Sequence, residues 1–229
     1  MITGDGFLAR AFKEFHDSSE IHIFASGVSD SGNISQKEFG RERSLLEDVL
    51  EKKQGTLVYF STCSIYDESL KGSLYINHKL LMEEVVRLSG NPYLIFRLSN
   101  PVGKTDNPHT LINFFVNRIE SGKKFDLWKG SFRNILDIED VVALCSYFIS
   151  KNKYVNRIIN VANPLNYSVG DIVCALEKVL NKKADYNLTI KKSIPQIKTT
   201  EVIQAADELQ LRFDENYLNL VLAKYFGGR

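Results

Sequence analysis

Short runs of β-branched and aromatic residues alternate along this chain with longer amphipathic stretches, the pattern that builds βα units and a mainly parallel sheet. Strands are expected at 1–3, 20–25, 56–61, 92–98 and 156–161, and helices over Phe7 to Phe15, Glu38 to Lys52, Leu74 to Ser89, Leu111 to Ser121, Ile138 to Ser150 and Val169 to Leu180. Two helix starts are well marked. Asp137 precedes Ile138-Glu139-Asp140, which puts acids in a first turn where they suit the helix dipole, and Ser168 stands three residues before Asp171 in a capping-box-like arrangement. Glu201 to Gln210 and Asn216 to Phe226 also carry a helical period. The Lys-rich segment from Lys182 to Lys198, interrupted by Pro195, is expected to be exposed and irregular, its charges a solvated face.

With 229 residues, 44% of them hydrophobic and 25% charged, the chain is long enough for one packed domain or a domain with an embedded lobe. Disorder and a membrane span are excluded, since no run approaches 18 apolar residues, and the start Met1-Ile2-Thr3-Gly4 has no signal-peptide pattern. A cytoplasmic, soluble protein is the expectation. The net charge is +1 with dispersed basic residues, so nucleic acid is not an expected partner. Three cysteines, Cys63, Cys145 and Cys174, without close paired spacing fit reduced thiols, and no metal site is expected.

Candidate chemistry begins with Gly4-Asp5-Gly6-Phe7-Leu8-Ala9, between a strand and a helix. Glycines there let the backbone approach a pyrophosphate, and a small Ala9 lets the helix pack close to the strand. A Gly-rich turn without a ligand reads the same way, and Asp5 suits an anion only if its side chain points to solvent. Tyr75 and Lys79 lie four residues apart and share one face of a helix. An ammonium beside a phenol lowers its pKa from about 10 and makes it a usable acid or base. Leu57 to Ser61 then leads into Thr62-Cys63-Ser64-Ile65-Tyr66, a hydroxyl cluster at the carboxyl end of a strand, where doubly wound sheets bind ligands.

In order along the chain, these motifs resemble the extended short-chain dehydrogenase/reductase family, in its NAD-dependent epimerase/dehydratase branch acting on nucleotide sugars. Ile21 to Gly27 resembles the strand with a small-residue cofactor turn, Phe96 to Gly103 the segment whose Asn meets the substrate diphosphate, and Arg133 to Val141 the Arg-bearing turn into a helix. The resemblance implies an α/β fold: a Rossmann-like doubly wound parallel sheet with a small C-terminal substrate lobe. It divides the chain into a cofactor domain (1–100 plus 135–162) and a substrate lobe (101–134 plus 163–229). Tyr75 would be the general acid/base, Lys79 its pKa-lowering and ribose-holding partner, and Thr62 the hydroxyl that polarises the sugar oxygen. Cofactor contacts are implied at Gly4, Gly6, Phe7, Leu8, Arg10, Ala25, Ser26, Gly27, Tyr75, Lys79 and Leu98. Substrate contacts are implied at Thr62, Cys63, Ser64, Asn100 and Arg133; for Arg133, pairing with Asp137 or Glu139 is the alternative. A homodimer through the helices at 38–52 and 74–89 is implied as well.

The chain departs from the family pattern in ways that bear on function. Only Phe7 to Glu20 separate the Gly-rich loop from Ile21, where the family has two further strands. Either 21–24 is the second strand without its ribose-reading acid, or it is the fourth and the sheet is shortened after the first βα unit; the spacing to Thr62 favours the latter. Arg10 is either a contact for a 2′-phosphate, favouring NADP over NAD, or a solvent-facing helix residue. Cys63 and Ser64 replace the acidic pair of dehydratases after Thr62, and Cys63 is either a second acid/base or a buried thiol. His78 is expected to face away from Tyr75, and His109 to sit in a polar turn. The expected activity is NAD(P)H-dependent reduction of a nucleoside-diphosphate 4-keto-6-deoxyhexose, the alternatives being a 4-epimerase with bound NAD or a non-catalytic dinucleotide-binding protein.

Overall fold

The computed structural model describes residues 1–52 and 55–228. Its main sheet has five strands, β1 (Ile2–Thr3), β2 (Ile21–Phe24), β3 (Thr56–Thr62), β4 (Tyr93–Leu98) and β8 (Arg157–Val161), in the order β1-β2-β3-β4-β8 and parallel throughout. The predicted strands and the helices α4 (Leu111–Ser121), α5 (Ile138–Ile149), α6 (Val169–Leu180), α7 (Thr200–Leu209) and α8 (Tyr217–Phe226) lie within two residues of their expected places.

Alternation along the strands splits the core in two. Phe24, Leu57, Tyr59 and Ile95 face α2 (Gln36–Glu51) and α3 (Leu74–Leu88), meeting Leu46, Val49, Leu50, Met82 and Val86. Ile23, Val58, Phe60, Leu94 and Phe96 face the other way, into the larger cluster that includes Val141, Leu144 and Phe148 of α5. Helices thus cover both faces, and the sheet is doubly wound.

In the doubly wound order 3-2-1-4-5-6 the first strand is interior. Here β1 is an edge, and β2 lies between it and the Thr62-bearing β3. Ile21–Phe24 therefore takes the place of the fourth strand, and the shortened sheet is the correct alternative. The helix expected from Phe7 to Phe15 is also shorter: α1 covers only Phe7–Ala11, followed by a 3₁₀ turn at Lys13–Phe15.

A second sheet contains β6 (Phe125–Arg133), β9 (Tyr167–Ser168) and β10 (Tyr186–Ser193), with α4, α6 and α8 packed nearby. The expectation of an irregular Lys182–Lys198 segment is corrected here: Tyr186–Ser193 is a strand parallel to β6. Most of its side chains are exposed, so its extended state rests on backbone pairing, and no burial pattern announces it. A short parallel pair, β5 (Asn100–Val102) with β7 (Ile135–Asp137), links the two parts. No described helix is long and apolar enough to cross a membrane.

Candidate active site

The carboxyl ends of β2, β3 and β4 open into a cavity of about 1180 Å³ that also reaches β6 and β10. Fourteen residues singled out in the sequence meet there: Gly6, Phe7, Leu8, Arg10, Ala25, Gly27, Thr62, Cys63, Ser64, Tyr75, Lys79, Leu98, Asn100 and Arg133 all line it. Gly4 and Ser26 are not among the lining residues. Gly4 has φ +121, and a Cβ there would stand 2.6 Å from the Ala25 carbonyl oxygen, so its glycine serves the β1–β2 contact. Ser26 is held from behind by Arg41, which donates to its Oγ at 3.0 Å and to its carbonyl at 3.1 Å.

The residues present fit a dinucleotide. A Cβ on Gly6 would meet nothing within 4 Å, so the loop leaves open space where a backbone can approach a ligand. Asp5 is exposed and outside the cavity, with its carbonyl accepting from the Arg10 guanidinium at 3.3 Å. Ser99, also on the cavity wall, has a buried Oγ with no hydrogen-bond partner among the described residues, a donor available to a ligand.

α3 presents the central pair. Ser73 caps this helix through its Oγ, which accepts from the Ile76 amide at 3.2 Å, and so fixes the turn carrying Tyr75. Tyr75 and Thr62 are both buried and line the same cavity. Burial pushes the Tyr75 phenol up to about 12; the Thr62 contact opposes this, and the Glu42 and Asp30 carboxylates add to it. The expected lowering by Lys79 is thus corrected, because the ammonium faces a different partner. Lys79 Nζ lies 3.0 Å from Glu42 Oε1, in an ion pair with almost no exposure on either side chain.

Glu42 is the residue the sequence reading missed. It accepts from Tyr59 at 2.6 Å, from the Val28 amide at 2.6 Å and from Lys79, and contacts His78 Nε2 at 3.0 Å. Burial alone would raise its carboxyl, but Lys79, His78, Tyr59 and Val28 outweigh that and hold it at about 2. The signal was there: Glu42 falls in the stripe Phe39, Glu42, Leu46, Val49 on the buried face of α2. His78, expected to face away, is buried in this cluster and stacks on Phe39 with ring centroids 4.5 Å apart.

Beneath Thr62, Arg97 holds Glu83 through two bonds of 2.9 and 2.6 Å, and Ser61 donates to the same carboxylate. This fixes the end of β3 against α3. Cys63 is buried, its thiol donating to the Arg97 carbonyl, and burial raises its pKa, which removes it as a ready base.

On the far wall, Arg133 pairs with Asp67 at 3.5 Å and stands 5.6 Å over the Trp128 ring. The alternative pairing with Asp137 or Glu139 is corrected: Lys224 occupies both carboxylates, at 2.8 and 2.7 Å. Asn100 donates to the Asn134 carbonyl at 2.8 Å. Lys191 of β10, 3.7 Å above the Trp128 ring, and Asn187 also line the wall, so part of the Lys-rich segment belongs to the cavity and not to a solvated face alone. His109 also lines the cavity, 3.7 Å from the carboxylate of Asp30.

Residues 2–162 match the model of the NAD dependent epimerase/dehydratase family. The chain belongs to that family. No curated protein matches it. Among solved structures of similar fold is dTDP-glucose 4,6-dehydratase from Bacillus anthracis in complex with NAD, at 17% identity and TM-score 0.68, covering 94% of this chain and 76% of that one. UDP-glucuronic acid 4-epimerase from Bacillus cereus, in complex with UDP-glucuronic acid and NAD, shares 20% identity at TM-score 0.70 over 94% and 76%. RMD from Pseudomonas aeruginosa, complexed with NADPH, shares 13% at TM-score 0.71 and is covered over 96% of both chains. At these identities the likeness is one of fold.

Proposed function

We propose that this family member uses NADH or NADPH to reduce the 4-keto group of a nucleoside-diphosphate 4-keto-6-deoxyhexose. The observation that carries this reading is Tyr75, a buried phenol that lines the cavity together with Thr62 and Lys79, its pKa pushed up to about 12 chiefly by burial. Such a group is suited to giving a proton. When bound, the nicotinamide supplies the hydride that reaches C4 of the sugar. Thr62 polarises the carbonyl oxygen, Tyr75 transfers its proton to that oxygen as the alcohol forms, and Tyr75 is then reprotonated from solvent. Gly6 leaves room for the dinucleotide and Ala25 and Gly27 line the cavity beside it, while Arg133 and Asn100 face the substrate diphosphate. A guanidinium fork suits that task once it exchanges Asp67 for phosphate oxygens.

The second reading is a 4-epimerase that keeps its NAD, favoured by the fold shared with an enzyme of that activity. It requires Tyr75 to start as the phenolate that takes the sugar hydroxyl proton, a form that burial and the Glu42 carboxylate both disfavour. A dehydratase lacks support, because Cys63 and Ser64 follow Thr62 where an acidic pair is needed. We also propose a homodimer. Leu74, Leu81 and Leu88, seven residues apart on α3, form an exposed apolar stripe, with Leu88 77% exposed.

Purified protein incubated with NADPH or NADH and a panel of 4-keto sugar nucleotides is expected to oxidise one equivalent of cofactor per sugar reduced. Tyr75→Phe lowers kcat by roughly 10²–10⁴-fold while the dinucleotide Kd stays within a few-fold. Epimerisation with no net cofactor consumption establishes the second reading instead. No turnover despite cofactor affinity leaves a non-catalytic binding protein.

A further inference from the structure

We infer that Glu42 is a positioning residue of this site, holding the Lys79 ammonium from inside the fold and joining it to the cofactor turn. This rests on the reductase reading for its purpose, but the geometry stands by itself. The carboxylate is fully buried and gathers partners from three elements: Lys79 and His78 of α3, Tyr59 of β3, and the Val28 amide of the loop after β2. The contact with the turn is close. A Cβ placed on Gly27 would stand 3.0 Å from both Glu42 Oε1 and Lys79 Nζ, so backbone and ion pair pack directly on each other. Lys79 also lies 4.6 Å from the centroid of the Tyr59 ring, which bounds it from another side.

A buried ion pair with these bonds costs desolvation and adds little net stability over an apolar substitute of the same shape, so its presence asks for another reason. The position supplies one. Lys79 lines the cavity with its ammonium paired to the buried carboxylate of Glu42. The charged and polar groups acting on Tyr75 are Glu42 of α2, Asp30 of the loop after β2 and the Thr62 hydroxyl of β3; Lys79 is the cation of its own helix. Glu42 thereby keeps Tyr75 a proton donor, which a reductase needs.

The test uses cofactor-free protein, so that its outcome is independent of whether the substrate class is right. Tyrosine ring-carbon NMR, assigned with Tyr75→Phe, follows the Tyr75 titration in wild type, Glu42→Gln and Glu42→Asp. Wild type and Glu42→Asp are expected to stay protonated to the top of the accessible pH range. Glu42→Gln is expected to titrate at least about one pH unit lower, since a like charge is removed and Lys79 is released. An unmoved Tyr75 titration in folded Glu42→Gln reduces Glu42 to a structural role and overturns the inference. Denaturation of Glu42→Gln, Lys79→Met and the double variant completes it. Each single substitution lowers the midpoint and the double, which strands neither charge, recovers at least half the loss; losses that simply add overturn the pairing, and the double variant also serves if Glu42→Gln does not fold. In turnover assays, failure of every keto sugar alongside a shifted Tyr75 titration counts against the reductase reading and leaves Glu42 in place.

Discussion

A single buried carboxylate, Glu42, pairs with the Lys79 ammonium behind the cavity wall. Glu42 is ionised in the fold with its carboxyl held at about 2, against an ordinary value of 4.5. Depressed acids stabilise the native state above their unfolded pKa, and the contribution is lost as pH falls through the folded one. Stability is therefore expected to drop between about pH 4.5 and 2 by on the order of a few kcal/mol from this group, read as the urea midpoint against pH. Glu42→Gln starts from a lower midpoint and lacks that part of the acid loss. Lys79 was recognised from its spacing to Tyr75, but which anion it faces was not legible, because Glu42 stands 37 residues earlier in the chain.

Elements follow the local pattern where burial and caps agree, and depart from it where pairing alone decides. α3 begins where Ser73 caps it, and Ser73→Ala is expected to cost about 1 kcal/mol in chemical denaturation and to loosen the turn holding Tyr75. β1 is short, and its junction with β2 depends on Gly4. Gly4→Ala brings a Cβ against the Ala25 carbonyl at a backbone angle that L residues resist, so a loss of about 2 kcal/mol or more is expected by the same measurement. β10 shows the opposite case: seven of its eight side chains are at least partly exposed, and only its register with β6 makes it a strand. Lys191 and Asn187 reached the cavity through that register.

At the scale of the whole molecule, β1 is the edge of the sheet, and among the described residues no strand pairs with its outer side. A cofactor held mainly over Gly6, Ala25 and Gly27 is expected to exchange, so freshly purified protein should carry far less than one dinucleotide per chain, measured by chromatography of the acid-released nucleotide. A full complement of NAD favours the epimerase. The exposed α3 stripe makes a dimer testable: Leu81→Glu is expected to halve the mass seen by light scattering.

The sequence by itself determined the alternating α/β plan and the strand ends bearing Thr62 and Leu98. It also marked the helix carrying Tyr75 and Lys79, because apolar period, caps and glycine turns act over a few residues. Whether Ile21–Phe24 was the second or fourth strand, which carboxylate meets Lys79, and that Arg133 faces Asp67 were decided only by the tertiary structure. Strand order and buried charge pairs join residues far apart in the chain, and their energies depend on what surrounds them once the chain has closed.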